Sequence, residues 1–212
     1  MTAPIVTVRG EAQLEGPPDL AGLSCTLHAS GDTAEAARTQ LASGSQEIAA
    51  LLERLAAALE RTSTSGLHVS PRFNQRNPTK ITGYTGTFTT SLVVADFEVL
   101  SELILGLSAL PASQVDGPWW SLRPDNPMYR EVRLAAIAEA RRRAEDYATA
   151  FGATVSELVE VSDLEGGMGG MPGPRGRYMA MEAMAADSSF SFEPALQTVT
   201  GQVTVRFTLA SA

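Results

Sequence analysis

The chain has 212 residues, of which 44% are hydrophobic and 19% are charged, and its formal net charge is -8. A chain of this length buries roughly 70% of the surface that its unfolded form exposes, so it requires neither disulfides nor a structural metal to fold. The composition is too apolar for a disordered protein. The acidic balance argues against nucleic-acid binding, which needs a basic surface to replace phosphate counterions.

The cysteine content and the first residues of the chain are the features that indicate the cellular compartment of the protein. The single cysteine, Cys25, rules out an intrachain disulfide. The opening residues, MTAPIVTVRGEA, show neither the basic nor the apolar region of a signal peptide. No apolar run approaches the ~20 residues that span a bilayer. The sequence as given therefore predicts a soluble cytoplasmic protein without a membrane span; a mature exported chain would carry the same features.

The first elements in chain order are two strands. Residues 4–10 are short and β-branched, which predicts a strand that ends at EGPPDL. Residues 20–31 alternate, with Cys25 on the apolar face and His28 on the polar face. A Cys–His pair of these two residues is therefore excluded in a regular strand, and Cys25 is predicted to be a small core residue.

A helix and a hairpin follow. Asp32 with Glu35 three residues later predicts a capping box, and the apolar stripe beyond it predicts a helix that persists to Arg61. Residues 65–73 and 80–95 predict two strands joined as a hairpin by the polar stretch NQRNPT. Asp96 then caps a short apolar helix that Pro111 closes.

The second half predicts a strand, a long helix and two further strands. Residues 115–123 form the strand, with Trp120 towards the core and Trp119 pointing away. Asn126 and Pro127 supply the N-cap and first position of the long helix, which Gly152 ends. Its predicted core seam comprises Val132, Ala136, Ala140, Ala144, Ala148 and Phe151. A short strand at 155–163 precedes the well-specified last strand, in which Val199, Val203, Val205, Phe207 and Leu209 alternate.

Strands and helices thus interleave around at least one hairpin. This order predicts an α+β fold: mixed, largely antiparallel sheets packed against three helices in a layered α/β sandwich. We expect a single domain over residues 1–212 with a flexible Gly/Pro/Met-rich loop at 163–195.

No set of residues predicts a reaction or a cofactor. Two histidines and one cysteine have no zinc-ligand spacing, and the acidic residues match no calcium loop. The run Arg141–Arg143 is flanked by acids, and Glu139 with Arg143 predicts an i,i+4 pair on a solvated helix face. The sequence therefore predicts no catalytic residue, no metal site and no cofactor.

The segment GMGGMPGPRGRYMAMEAMA, residues 167–185, holds five of the seven methionines. Its thioethers suit a soft metal such as Cu(I), or reversible oxidation. A third hypothesis is a short amphipathic helix that docks on a partner chain, and a fourth is a surface loop between two strands. The predicted oligomer or partner contacts are Trp119, Met168, Met171, Tyr178, Met181 and Met184.

Several motifs in their order resemble the SIMPL-domain family. They include VTVRGEA at the start, GPPDLAGL, TSGLHVSPRF, ITGY, the run LVVAD that ends at Asp96, the alanine-rich helix AEARRRAEDYATAFG, and VTVRF near the end. The resemblance extends from about residue 5 to residue 209. This family includes bacterial periplasmic immunogens, oxidative-stress-defence proteins and an animal protein that binds a receptor-associated kinase.

The resemblance implies an α/β-type domain that assembles into large ring-like homo-oligomers, with no established enzymatic activity and so no catalytic residues to carry over. We expect a non-enzymatic, self-assembling protein, with a stress-protective role that comes from the resemblance alone. One alternative is a monomeric module that binds a partner or ligand. Another is an enzyme of unrecognised type, which would need His28 or His68 to meet Asp19, Asp96 or Asp116 in one pocket.

Overall fold

Local sequence signals form most of the observed elements. A computed structural model describes residues 3–163 and 192–211, which contain three α-helices and seven strands. In chain order they are β1 (Ile5–Gly16), β2 (Leu20–Gly31), α1 (Ala34–Arg54), β3 (Leu59–Phe73), β4 (Ile81–Val94), α2 (Leu100–Ser108), β5 (Ser113–Ser121), α3 (Met128–Ala150), β6 (Ala153–Ser162) and β7 (Gln197–Ser211). The predicted α+β class is confirmed, and the strand pairs among the described residues are antiparallel.

The chain divides into two compact units. One contains β1, α3, β6 and β7, and its three-stranded sheet has the order β1-β7-β6. The other contains β2, α1, β3, β4, α2 and β5, and its four-stranded sheet has the order β3-β4-β2-β5. The single domain over residues 1–212 stays a prediction, and residues 164–191 of the predicted loop lie outside the described residues.

The four-stranded unit buries the apolar face of β2 against its helices. Leu23, Cys25 and Leu27 are buried in one cluster with residues of α1, α2 and β4. The alternation read from residues 20–31 is the reason, because every second side chain of a strand points to the same face. Tyr84 and Phe88 of β4 pack on this cluster.

In the three-stranded unit, the small side chains of α3 pack against the sheet. The seam Val132, Ala136, Ala140, Ala144 and Ala148 is buried as predicted. Opposite it, Gly10 of β1 and Gly201 of β7 leave room for the helix backbone: a Cβ on Gly10 would lie 1.9 Å from the carbonyl oxygen of Ala136. The helix therefore lies close over β1 and β7.

The boundaries of α1 and the end of the α3 seam were predicted wrongly. The N-cap of α1 is Thr33, not Asp32, because the Thr33 hydroxyl oxygen accepts from the Ala36 amide at 3.1 Å. The helix ends at Arg54, not Arg61, because the chain from Leu59 pairs with β4 instead. Phe151 lies past the end of α3 and is 81% exposed, so it is not a seam residue.

Two predicted caps are confirmed. Asp96 accepts from the Glu98 amide at 3.0 Å and starts the short 3-10 turn that leads into α2. The Asn126 side chain accepts from the Met128 amide at 2.8 Å at the start of α3. At the other end of α3, Gly152 has a left-handed φ of 65°. Glycine adopts this conformation without steric cost and therefore often follows the end of a helix.

Candidate functional site

The four-stranded sheet has one face of hydroxyl side chains. Ser24, Thr26 and His28 of β2 lie beside Thr87 and Thr89 of β4, opposite to the face that packs on the helices. Thr26 and Thr89 are in hydrogen-bond contact at 3.1 Å between their hydroxyl oxygens. This face therefore has the small polar side chains of a solvated sheet surface rather than the convergent groups of a reactive pocket.

Both histidines lie in one row of this face. His28 and His68 are each paired in register with Thr87, one from β2 and one from β3. Strands in a sheet are spaced by about 4.8 Å, which separates the two histidine backbones by roughly 10 Å. Both side chains are exposed. Among the described residues they have no third His, Cys, Asp or Glu beside them that would complete a metal site.

The three carboxylates that could act with a histidine in an enzyme each take part in another hydrogen bond. Asp19 accepts from the Arg123 amide at 2.7 Å, and Asp96 caps the turn before α2. Asp116 accepts from the Gln114 side chain and is in register with Ser24, four residues along β2 from His28. The structure does not bring either histidine together with these three carboxylates.

Cys25 has the environment of a structural residue. Its side chain is fully buried in the core cluster of the four-stranded unit. Burial disfavours the thiolate and raises the pKa of Cys25 to about 11. The nucleophilic form of the thiol is therefore scarce at neutral pH.

Trp119 is an exposed aromatic residue at the edge of the four-stranded sheet. It is paired with Gly22 of β2 and is 49% exposed, whereas Trp120 packs on the core and meets Phe97 edge-to-face at 4.9 Å. The opposite orientations predicted from the strand alternation are confirmed. A contact role for Trp119 stays a prediction. The other predicted contacts, Met168, Met171, Tyr178, Met181 and Met184, lie outside the described residues.

An apolar groove follows β6 in the three-stranded unit. Because α3 lies over β1 and β7, it leaves the β6 side of the sheet partly uncovered. The groove has a volume of about 540 Å³. Its apolar lining includes Leu158, which is 57% exposed, together with Ile137, Val161 and Phe207. We name this surface the β6 groove.

The irregular backbone of β6 sets which side chains line the groove. The pairing with β7 shifts register between Val155 and Leu158 and again between Leu158 and Glu160. Such bulges re-aim side chains and disturb the outer edge of a strand. β6 is also an edge strand, because β7 is the neighbour with which it pairs within the described sheet.

The three-stranded unit carries charged side chains on α3, β6 and β7. Arg141 donates through Nε to Glu145 at 3.0 Å, and Arg206 donates to Glu160 at 2.9 Å. Glu157 and Asp163 are exposed on or beside the same strand. Of these groups, Arg141 and Glu145 line the groove and neutralise each other. Glu160 and Arg206 are paired in register between residues that line the groove, so they lie on the opposite face of the sheet.

The arginine run on α3 forms the predicted solvated face. Arg143 contacts Glu139 at 2.8 Å, as the i,i+4 spacing indicated, and Arg142 contacts the same carboxylate. The hydrogen bond from Arg142, followed by that from Arg143, lowers the pKa of Glu139. With Glu145 beside Arg141 and Asp146 near Arg142, three carboxylates match the three arginines, which argues against a phosphate-binding patch.

Clusters of metal-binding side chains and membrane-spanning helices are both absent from the described ranges. Within residues 3–163 and 192–211, no three His, Cys, Asp or Glu side chains gather in a way that could hold a metal ion. None of the helices in those ranges has the length and apolar character needed to cross a membrane.

Two antiparallel sheets with helices on one face define this chain as an α+β protein whose notable surfaces are edge strands and a groove. The model of the SIMPL family, described as a protein of unknown function (DUF541), matches residues 6–207. The chain belongs to the SIMPL family, and the predicted resemblance is confirmed.

Among curated proteins, the chain is similar to the 26 kDa periplasmic immunogenic protein of Brucella melitensis biotype 1 and to that of Brucella abortus strain S19. Each is 26% identical over 193 residues, which cover 87% of this chain and 76% of the relative.

A solved structure from Burkholderia cenocepacia, provisionally described as an amidohydrolase/peptidase, matches with 16% identity and a TM-score of 0.31. The match covers 63% of this chain and 34% of that one, so this chain spans about a third of its length. A likeness this slight carries no argument about fold or activity.

The sequence did not predict the β6 groove. Leu158 and Val161 were visible as apolar residues in VSELVEVSD, but their exposure depends on where α3 lies across the sheet.

Proposed function

We propose that this protein is a non-enzymatic assembly protein whose copies associate into a homo-oligomer. The observation that carries the proposal is the β6 edge, where Leu158 and Val161 are exposed and line the β6 groove together with Ile137 of α3. Clustered apolar side chains on an unpaired strand edge favour association with another chain. Trp119 and the methionine segment at residues 167–185 are proposed as further contacts.

The absence of an activity is part of the proposal. The carboxylates of Asp19 and Asp96 bond backbone amides away from the two histidines, and Cys25 is buried with a raised pKa. An active site needs an acid or base within reach of a nucleophile or substrate in one pocket. The proposal of a structural role is consistent with the family description, which assigns no reaction.

We also propose an exported location and a protective role under stress. The Brucella relatives are named periplasmic proteins, which supports a periplasmic location for this chain over the cytoplasmic one expected from the sequence as given. The stress role rests on the family resemblance.

The test of assembly is the mass in solution. Light scattering on a size-exclusion column, repeated from nanomolar to micromolar concentrations, measures it without a shape assumption. We expect a species several times heavier than the 22.4 kDa chain. A 22.4 kDa species at every concentration would remove the proposal.

The alternative is a monomeric module that binds a ligand or a partner. The size of the β6 groove favours it, because about 540 Å³ falls within the range of small-molecule pockets. A chain that stays monomeric and forms a one-to-one complex through Leu158 and Ile137 would support this alternative over self-assembly.

A further inference from the structure

Strand β1 is a free edge of the three-stranded sheet, because β7 is its neighbour in the order β1-β7-β6 of the described residues. It pairs with β7 in one unbroken register over its 12 residues, Ile5–Gly16. The pairings of the other edge strands of the described sheets, β3, β5 and β6, each contain a register shift. Such irregularities disturb the outer edge of a strand and hinder its pairing with another chain. β1 is therefore the most regular edge in the described part of the chain.

The free edge of β1 presents backbone groups that β7 does not use. Backbone N–H and C=O groups of successive residues point to opposite sides of a strand. The Pro4 carbonyl oxygen accepts from the Leu209 amide at 2.8 Å, so the backbone groups of even-numbered residues point to β7. Those of the odd-numbered residues point away from it, at Ile5, Thr7, Arg9, Glu11, Gln13 and Glu15. The backbone of a second strand would satisfy these donors and acceptors.

One side chain of α3 reaches this edge. Arg143 donates to the Arg9 carbonyl oxygen at 3.0 Å, in agreement with a carbonyl group that points away from β7. The Arg143 side chain is half exposed, and a carbonyl oxygen has two lone pairs. The Arg9 carbonyl oxygen can therefore accept a strand hydrogen bond as well.

The side chains of β1 are complementary to themselves in reverse order. When two copies of the strand run antiparallel with Gly10 opposite Gly10 of the partner subunit, Arg9 lies opposite Glu11 of the partner subunit, and Glu11 opposite Arg9. Opposite charges in facing positions stabilise a strand pair. The other facing pairs in this register are Val8 with Ala12, Val6 with Leu14, Thr7 with Gln13, and Ile5 with Glu15.

The charges also disfavour the neighbouring registers. A shift of two residues in one direction places Arg9 opposite Arg9 of the partner subunit, and a shift in the other direction places Glu11 opposite Glu11. Like charges in facing positions destabilise a strand pair. A shift of one residue would set the side chains that pack under α3 against those that face solvent. The register centred on Gly10 is therefore the one that the sequence of β1 favours.

Gln202 of β7 positions the two charged side chains. Arg9 donates to the Gln202 side-chain oxygen, and the Gln202 side-chain nitrogen donates to Glu11 at 3.2 Å. Both charged residues are exposed, and neither has an ion-pair partner within the described residues. Side chains that are already positioned lose less entropy when they bind a partner.

We infer that β1 of one copy pairs antiparallel with β1 of a second copy about a two-fold axis at Gly10. The three-stranded sheets of the two copies join into one continuous sheet, with both α3 helices on the same face. This contact rests on the proposed self-assembly and names the strand and the register through which two copies meet. An isologous contact of this kind closes after two copies, so a larger assembly needs a further contact such as the β6 groove.

A pair of cysteines in the full chain tests the register. The pairing places Thr7 opposite Gln13 of the partner subunit, with Cα atoms about 5.5 Å apart, which is within the range of a disulfide. Within one copy these residues are separated by about 20 Å along the strand, so they cannot join. A chain carrying both Thr7→Cys and Gln13→Cys should form a covalent dimer on mild oxidation, seen on a denaturing gel without reductant. Each single variant is a control and should stay unlinked, because its cysteine faces no cysteine of the partner subunit.

A charge exchange provides the second measurement. Arg9→Glu places carboxylates opposite each other, Glu11→Arg does the same with guanidinium groups, and each should raise the dissociation constant about tenfold in sedimentation experiments. An equal mixture of the two variants should recover association as a heterodimer, because each acidic pair then faces a basic pair. Glu47→Arg on α1 is the matched control: it makes the same charge change at another exposed site and should leave association unchanged. Circular dichroism verifies that each variant folds.

The outcomes distinguish the β1 pairing from the proposed self-assembly. An oligomer in which the double-cysteine chain forms no covalent dimer, or in which the single-cysteine controls link as readily, would overturn the β1 pairing and leave self-assembly in place. A monomer at every concentration would remove both. A covalent dimer with no larger species, unchanged by Leu158→Ser, would support the β1 pairing and overturn the proposed contact at the β6 groove.

Discussion

Gly10 of β1 faces the carbonyl oxygen of Ala136 on α3 so closely that a Cβ on Gly10 would lie 1.9 Å from it. The backbone of a helix and the backbone of a strand thus meet without an intervening side chain. This contact, with the one at Gly201, holds α3 over β1 and β7 and leaves the β6 groove open. The position of α3 on the sheet therefore determines which surface is left exposed, and this is the surface that we propose for assembly.

Gly10→Ala should destabilise the three-stranded unit. The added methyl group meets backbone atoms that cannot rotate away, so α3 must shift, at a cost of about 1–3 kcal/mol or more. Urea unfolding followed by circular dichroism measures the change. Gly66→Ala is the control, because nothing lies within 4 Å of a Cβ there, and we expect a change within about 0.5 kcal/mol. Equal effects at the two positions would contradict the close packing.

Leu158→Ser should weaken self-association without unfolding the chain. Leu158 is already more than half exposed, so its loss costs the folded chain little, but it removes apolar surface from the β6 groove. We expect an increase in the dissociation constant of about tenfold, measured by sedimentation at several concentrations. Leu134→Ser changes an exposed leucine of α3 that does not line the groove, and it should associate like the unchanged chain.

Cys25 should resist thiol reagents while the protein is folded. Its burial excludes the reagent and raises the pKa to about 11, so little thiolate forms at pH 8. The absorbance of Ellman's reagent should rise slowly in buffer and at once in concentrated guanidinium chloride. Immediate reaction in buffer would place Cys25 at an accessible, activated site.

Glu60 should titrate below the usual range of a glutamate. The hydrogen bond from Arg123 lowers the pKa of Glu60, and the positive charge adds to this effect. A lowered folded-state pKa means that the pair stabilises the fold above the unfolded pKa and that this contribution is lost as the pH falls through the folded value. The effect on stability is small because both side chains are exposed.

Arg123→Gln tests the cause of that shift. Carbon-detected NMR titration of the Glu60 carboxyl should show its pKa returning towards the ordinary value of a glutamate. Arg141→Gln, which removes a guanidinium that pairs with Glu145 instead, should leave Glu60 unchanged. If Glu60 titrates alike in all three proteins, Arg123 is not the cause.

Much of the fold could be predicted from short-range patterns. The alternation in β2 and β7 and the four-residue spacing in α3 identified the buried faces, because side-chain direction in a strand or helix repeats with a fixed period. The caps by Asp96 and Asn126 could also be predicted, because a capping hydrogen bond joins residues that are close together in the sequence. The outward direction of Trp119 was also readable, since Trp120 occupies the inward position next to it.

The predictions failed where a distant segment decides the local conformation. The helix pattern of α1 continues past Arg54, but Leu59 is in register with Val94 of β4 and the chain turns into a strand. β1 continues to Gly16 because β7 pairs with it along its whole length. Sheet pairing with a partner far along the chain overrides local helical preference.

The sequence by itself determined which side chains are apolar, how they repeat and where the helices and turns begin, because these are properties of neighbouring residues. Only the tertiary structure decided that α3 lies over β1 and β7, so that Leu158, Val161 and Ile137 are exposed together. The physical reason is that the lateral position of a helix depends on backbone contacts at Gly10 and Gly201, which lie almost the full length of the chain apart.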